Sequence, residues 1–268
     1  VYARLLVPYD GSHFAQRALS VAAEIARSIA SPVHVAGFAL TDSHRGDIAA
    51  SIDALTAPPG VTMTSSTAKV DDIVAAIAAE VDREPGTLVC MSSVGRSHSA
   101  PLLGSVAEGV LRETFGPTLL LGPAADPASF HLRGPLVVCY DGSDTSSSVL
   151  PIAAQWAIAL HVDPWVVTVL APGARTDDRG VPDSAAVARV AHQMQADIGR
   201  TVNFEVVHGH DSAAAICEFA RSIDAAAIAV STHGASGVRR AVLGSVAMAI
   251  VHEAPCPVLV HRPPHLPS

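Results

Sequence analysis

The stretch that decides the fold is "VRRAVLGSVAMAIVHEAPCPVLV", residues 238–260. A glycine–serine pair, Gly244 and Ser245, opens an apolar segment of helical period, and a proline-bracketed apolar strand follows. Residues 102–121, "LLGSVAEGVLRETFGPTLLL", repeat nearly the same order. The shared "LGSVA" begins at Leu103 and again at Leu243, 140 residues on. Upstream, "RLLVPYDGS" ends at Ser12 and "PLVVCYDGS" at Ser143, 131 residues apart. Gly95 and Gly234 are 139 apart, so the glycine-bearing loop is one residue shorter in the first copy. Two copies of one domain in the same order account for all three offsets. The candidate domains are 1–122 and 134–268, joined by the aperiodic "GPAADPASFHLRG" at 122–134.

Within each copy, short apolar runs alternate with Ala-rich segments of helical period. The first copy reads as strands 3–8, 32–39, 61–66, 87–92 and 117–121, with helices 13–29, 46–56, 71–83 and 105–113 between them. The second reads as strands 135–140, 164–170, 202–207, 226–231 and 257–261, with helices 144–161, 184–197, 212–222 and 245–252. Pro151 falls inside the first helix of the second copy and should kink or shorten it. Strands apolar on both faces, each separated by a helix, predict an α/β fold with a parallel sheet covered on both sides.

Composition narrows the function. The 268 residues, 49% hydrophobic, suffice for two ordinary cores. Seventeen basic against twenty-five acidic residues give a net charge of −8, and Lys69 is the only lysine. Such a chain is no phosphate-backbone binder, and it has no lysine patch for anionic lipid. Cys90, Cys139, Cys217 and Cys256 form no CxxC pair, which predicts reduced, buried thiols. No apolar run reaches spanning length, and "ARLLVPYD" begins without a leader pattern, so a soluble cytoplasmic protein is expected.

In an open α/β sheet the ligand crevice lies at the C-terminal strand ends, where the winding reverses. "YDGS" follows the first strand of each copy, bringing Asp10 and Asp141 there, and the glycine loop follows the fourth. The first NH groups of a helix lack partners within it, and the macrodipole adds about half a positive charge. Gly244 would let a ligand meet that backbone, Ser245 offers an NH and a hydroxyl, and Gly234 would let the far side of the loop close in. An anion site, most naturally for phosphate, is one reading. The other is that the glycine makes a turn and the serine is a plain N-cap. GxxxxGK[ST], GxGxxG and GxSxG are all absent. "HGHD", with His208, His210 and Asp211, reads as the close of a strand and the cap of the next helix rather than a metal site.

These residues resemble the universal stress protein family in its tandem form. The marks are "VPYDGS" and "VCYDGS", "STHGASGVRRAVLGSVA" with its shorter partner "SSVGRSHSAPLLGSVA", and "HEAPCPVLV". The resemblance implies two tandem doubly wound, parallel five-stranded sheets of order 3-2-1-4-5, similar to Rossmann-like and adenine nucleotide alpha hydrolase-like folds. That order places the switch point between strands one and four. ATP-binding members carry G-x2-G-x9-G-[ST]. The second copy reads Ser231-x2-Gly234-x9-Gly244-Ser245, with serine for the first glycine. The first reads Ser92-x2-Gly95-x8-Gly104-Ser105, with the same exchange, one residue fewer, and Pro101 in the loop. By resemblance Asp10 and Asp141 lie against the nucleoside, and Val169 supplies backbone to the adenine edge. Gly95, Gly104 and Ser105 in one copy, and Gly234, Gly244 and Ser245 in the other, would hold phosphates.

The resemblance implies a nucleotide-dependent stress regulator that binds ATP, with or without Mg2+, and is no dedicated enzyme, since neither a positioned base nor a P-loop lysine can be named. Cyclic AMP is the alternative ligand, and a nucleotide-free interaction scaffold the alternative function. The closing strands "PTLLL" and "PVLVH" are apolar edges, so pairing of the copies as an intrachain pseudo-dimer is expected, with a further homodimer through another face. The second copy, with the longer loop, Gly237, Arg239 and Arg240, is expected to bind nucleotide more tightly than the first.

Overall fold

The structure is a computed structural model that describes residues 2–94, 103–171, 184–232 and 243–263. Its contacts divide into two compact units, the first ending at Leu121 and the second beginning at Gly122. The first unit runs β1 (Arg4–Tyr9), α1 (His13–Ile29), β2 (Val33–Ala39), α2 (Asp42–Asp53), β3 (Met63–Lys69), α3 (Ile73–Arg83), β4 (Thr87–Ser92), α4 (Ser105–Glu113) and β5 (Pro117–Leu121). The second runs β6 (Leu136–Cys139), α5 (Asp144–Ser147), α6 (Leu150–Leu160), β7 (Pro164–Leu170), α7 (Ser184–Ile198), β8 (Asn203–His208), α8 (Ser212–Ser222), β9 (Ala227–Ser231), α9 (Ser245–Glu253) and β10 (Val258–His261).

The strands of the first unit lie in the order β3-β2-β1-β4-β5, and those of the second in the order β8-β7-β6-β9-β10. The neighbours are parallel throughout. Each unit therefore has the 3-2-1-4-5 order, with its switch between the first and fourth strands. Registers match as well. Leu5 faces Val33 in one unit and Leu136 faces Pro164 in the other, the same 131-residue offset.

The central strands are apolar on both faces because helices cover both faces. Leu5, Leu6 and Val7 in β1, and Leu136, Val137 and Val138 in β6, are fully buried. Burial of each such side chain contributes roughly 1.5–3 kcal/mol. On α1 the buried stripe Ala18, Ala22, Ile25 and Ala26 follows helical spacing and packs on β1 and β4. Both first helices share a stop: Ala30 after α1 and His161 after α6 adopt the left-handed conformation, with φ of 53° and 56°.

Three expectations are corrected. The helix at 46–56 spans Asp42–Asp53, because Thr41 Oγ1 accepts from the His44 NH and starts it earlier. The strand at 61–66 spans Met63–Lys69, since it pairs with β2 along its whole length. The helix at 144–161 is two helices. Pro151 stands in the first turn of α6, where its missing NH costs no intrahelical bond, and α5 ends at Ser147.

The connector at 122–134 is part of the second unit. A Cβ on Gly122 would come 1.9 Å from the Val251 carbonyl oxygen, and one on Gly134 would come 2.0 Å from that of Asp224. His131 Nε2 lies 3.1 Å from Asp224 Oδ2. All four cysteines are buried and unbonded. Burial pushes the Cys256 thiol up to about 12 and the Cys217 thiol up to about 11, and those of Cys90 and Cys139 rise further still. Among the described residues no helix is long and apolar enough to cross a membrane.

Candidate functional site

In each unit the chain leaves the first strand through a tight turn. Gly11 and Gly142 sit at φ 79° and 84°, a conformation that favours glycine. Asp10 Oδ1 accepts from the Ser12 NH at 2.9 Å, and Ser12 Oγ accepts from the Ala15 NH at 3.1 Å, capping α1. The second unit repeats this. Asp141 Oδ1 accepts from the Ser143 NH at 3.0 Å and from its hydroxyl at 2.6 Å, and Ser143 Oγ accepts from the Ser146 NH at 3.1 Å. The "YDGS" serines are therefore helix caps, braced by their aspartates.

The fourth strand leads to a helix start of another kind. Gly104 and Gly244 are themselves the N-caps of α4 and α9, with no side-chain cap bond. Their own NH groups are used, donating to the Ser93 carbonyl at 2.7 Å and the Thr232 carbonyl at 2.6 Å. The first intrahelical bonds come from the NH groups of Glu108 and Met248 to the two glycine carbonyls, each at 2.9 Å. Ser105 and Ser245 thus stand at the first helical position, which overturns the plain-N-cap reading of these serines. The NH groups of the first turn precede the helical ladder and have no capping side chain. By contrast α3 and α8 are capped by Asp72 and Asp211, each accepting from two NH groups.

A cavity separates the braced turn from the uncapped helix in each unit. The first, about 360 Å3, is lined by Asp10, Gly104 and Ser105 together with Tyr9, Phe38, His44, Ile73 and Met91. The second, about 300 Å3, is lined by Asp141, Val169, Gly244 and Ser245 together with Cys139, Ile216, Val230 and Ser231. Gly95 and Gly234 lie outside the described residues, as do Pro101, Gly237, Arg239 and Arg240. Each cavity has an apolar floor, a carboxylate at one rim and an uncapped helix start at the other. That set can take a planar apolar group, a donor such as a sugar hydroxyl, and an anion.

The sequence reading missed the floors. Phe38 occupies the β2 position that Val169 occupies in β7, 131 residues on, so carrying the repeat offset to Val169 would have found it. Cys139, His44, Ile73 and Met91 carried no signal beyond their apolar or loop context. His208 ends β8 and Asp211 caps α8. Among the described residues no group of three or more His, Cys, Asp or Glu side chains could hold a metal ion.

A sequence model of the Universal stress protein family matches residues 2–121 and 133–262. A universal stress protein from Archaeoglobus fulgidus DSM 4304 is similar at 21% identity and a TM-score of 0.71, over 97% of this chain and 98% of that one. A functionally unknown protein from Pseudomonas aeruginosa PAO1 is similar at 17% identity and a TM-score of 0.65, over 98% of this chain and 93% of that one. These two likenesses show the fold over nearly the whole chain. A further Archaeoglobus fulgidus universal stress protein, in complex with dAMP, is 29% identical over 48% of this chain and 98% of its own, with a TM-score of 0.36. No curated protein matches the chain.

Proposed function

The chain belongs to the universal stress protein family, and from that premise we propose that it binds an adenine nucleotide, ATP foremost, in the crevice between the first and fourth strands of a copy. The observation that carries this reading is the start of α9. A glycine N-cap without a side-chain acceptor opens onto a cavity whose opposite rim holds Asp141. Phosphate oxygens supply the acceptors that first turn lacks, ribose hydroxyls donate to the aspartate, and the adenine lies on the apolar floor near Val169. With ATP bound, Mg2+ would be carried by the phosphates. We place the protein in the cytoplasm as a regulator, in which occupancy sets shape or partner choice.

We further propose that turnover is slow. Asp141 is the carboxylate nearest the proposed phosphates, and its Oδ1 accepts two bonds from Ser143, a bracing role rather than that of a general base. A rate on the order of 1 per second or more, abolished by Gly244→Val, would refute this. The same bracing favours a second reading, a nucleotide-free scaffold that keeps the aspartate for its turn. Mass spectrometry of the natively purified chain separates the two, and distinguishes ATP from cyclic AMP. A co-purifying adenine nucleotide supports the binding reading. A chain that carries none and takes up none on titration supports the scaffold. Association of the two copies through "PTLLL" and "PVLVH" is likewise a proposal. Residues 1–121 and 122–268, made separately, should associate on mixing, and two inert monomers would refute it.

A further inference from the structure

Resting on the reading that both crevices are nucleotide-class sites, we propose that they are divided by ligand charge. The second takes the phosphorylated nucleotide, and the first takes the uncharged nucleoside, with adenosine as its representative.

The division begins at the two helix starts. The first turn of α4 carries Glu108, whereas that of α9 carries no acid and has Met248 at the matching position, 140 residues on. A carboxylate there answers part of the helix's terminal positive charge and repels a polyphosphate arriving at the same end. The rim carboxylates differ in the same sense. Asp10 is half-buried and Asp141 is exposed. A second negative group beside the less hydrated carboxylate is the more costly of the two.

The floors favour a ring in the first crevice. Phe38, only 8% exposed, lines that cavity where Val169 lines the second. Ile73 and Met91 stand where the second has Ser212 and Val230. An aromatic face and two apolar side chains suit stacking and burial of a base. The cavity, about 360 Å3, falls within the range of roughly 300–1,000 Å3 typical of small-ligand sites. The first crevice therefore keeps the base and sugar contacts and has lost the electrostatic case for phosphate.

Calorimetry on the full chain tests this with adenosine and ATP. Gly244→Val silences the second crevice and isolates the first; Ser245→Glu, which puts a charge at the same helix start, is the alternative background if the valine variant fails to fold. On either background adenosine should bind at least about tenfold more tightly than ATP. Adding Glu108→Gln should raise ATP affinity about three- to tenfold and leave adenosine within about twofold. Met248→Glu in the otherwise unaltered chain should weaken ATP by a similar factor. The division is overturned if the first crevice prefers ATP, if it takes no adenosine, or if Glu108→Gln shifts both ligands alike. The nucleotide reading itself falls only if the unaltered chain binds neither compound.

Discussion

In the first copy β2 ends beneath the crevice on Phe38, while in the second the same register position holds Val169. The first has Glu108 in the turn above that floor, and the second has Met248. Around these differences the frame is the same. Both units have a glycine turn at positive φ, an aspartate bracing it, a serine cap and a glycine-capped, uncovered helix start. The duplicated backbone is thus a constant, and divergence is confined to the side chains that a ligand would meet. Matched substitutions should therefore have unequal effects in the crevices and equal effects in the frame.

The largest inequality is expected at the helix starts. Gly244→Val should weaken ATP binding about a hundredfold, or about 3 kcal/mol, and Gly104→Val no more than about threefold. Gly244 sits at φ −63° and ψ 156°, which valine can adopt, so the loss reports obstruction rather than a broken backbone. Equal losses on calorimetry would break the comparison. The rim comes next. Asp141→Ala should cost about tenfold in ATP affinity, and Asp10→Ala less. Asp141→Asn sharpens the test. It keeps an oxygen for the Ser143 NH, so the turn and the melting temperature should hold while affinity falls.

The frame should respond evenly. Asp72→Ala and Asp211→Ala each remove an acceptor for two NH groups, at 2.8 and 3.1 Å in one unit and 2.9 and 3.1 Å in the other. Each should destabilise its unit by about 1 kcal/mol in urea titrations, and a difference above about 0.5 kcal/mol would show that the frames have diverged too. The smallest effect is a gain. Ala30→Gly relieves a left-handed alanine and should add up to about 1 kcal/mol. His161→Gly should gain less, because His161 Nδ1 lies 3.1 Å from Arg200 Nη1 and that contact is lost.

Much of the frame was legible in the sequence, because the offsets of 131, 139 and 140 place each strand of one copy against its counterpart. Strand order came from the family resemblance. What failed was local. β3, "MTSSTAK", has no apolar alternation and is defined by pairing with β2. α2 begins at a threonine cap inside "TDSHRGD", where Gly46 and the charges hide the helical period. Asp10, Asp141, Gly104 and Gly244 were legible as crevice residues, because turn and helix-start chemistry is written in single letters. Phe38 was not, since an aromatic residue in a buried strand reads as core until the sheet shows which end of it faces the crevice.

The glycine caps have one further consequence, in the rate at which backbone protons trade with solvent. A first turn held by a side-chain carboxylate opens only when that bond breaks, whereas one that begins at a bare glycine has no such latch. In the ligand-free chain the amides of Val246 and Ala247 should therefore exchange with deuterium faster than those of Ala213 and Ala214, which Asp211 holds in α8 of the same unit. The second unit thus carries a slow and a fast helix start side by side in sequence, and a bound anion would act as the missing latch. Its arrival would register as protection of two or three amides in α9, while α8 kept the exchange rates it already had.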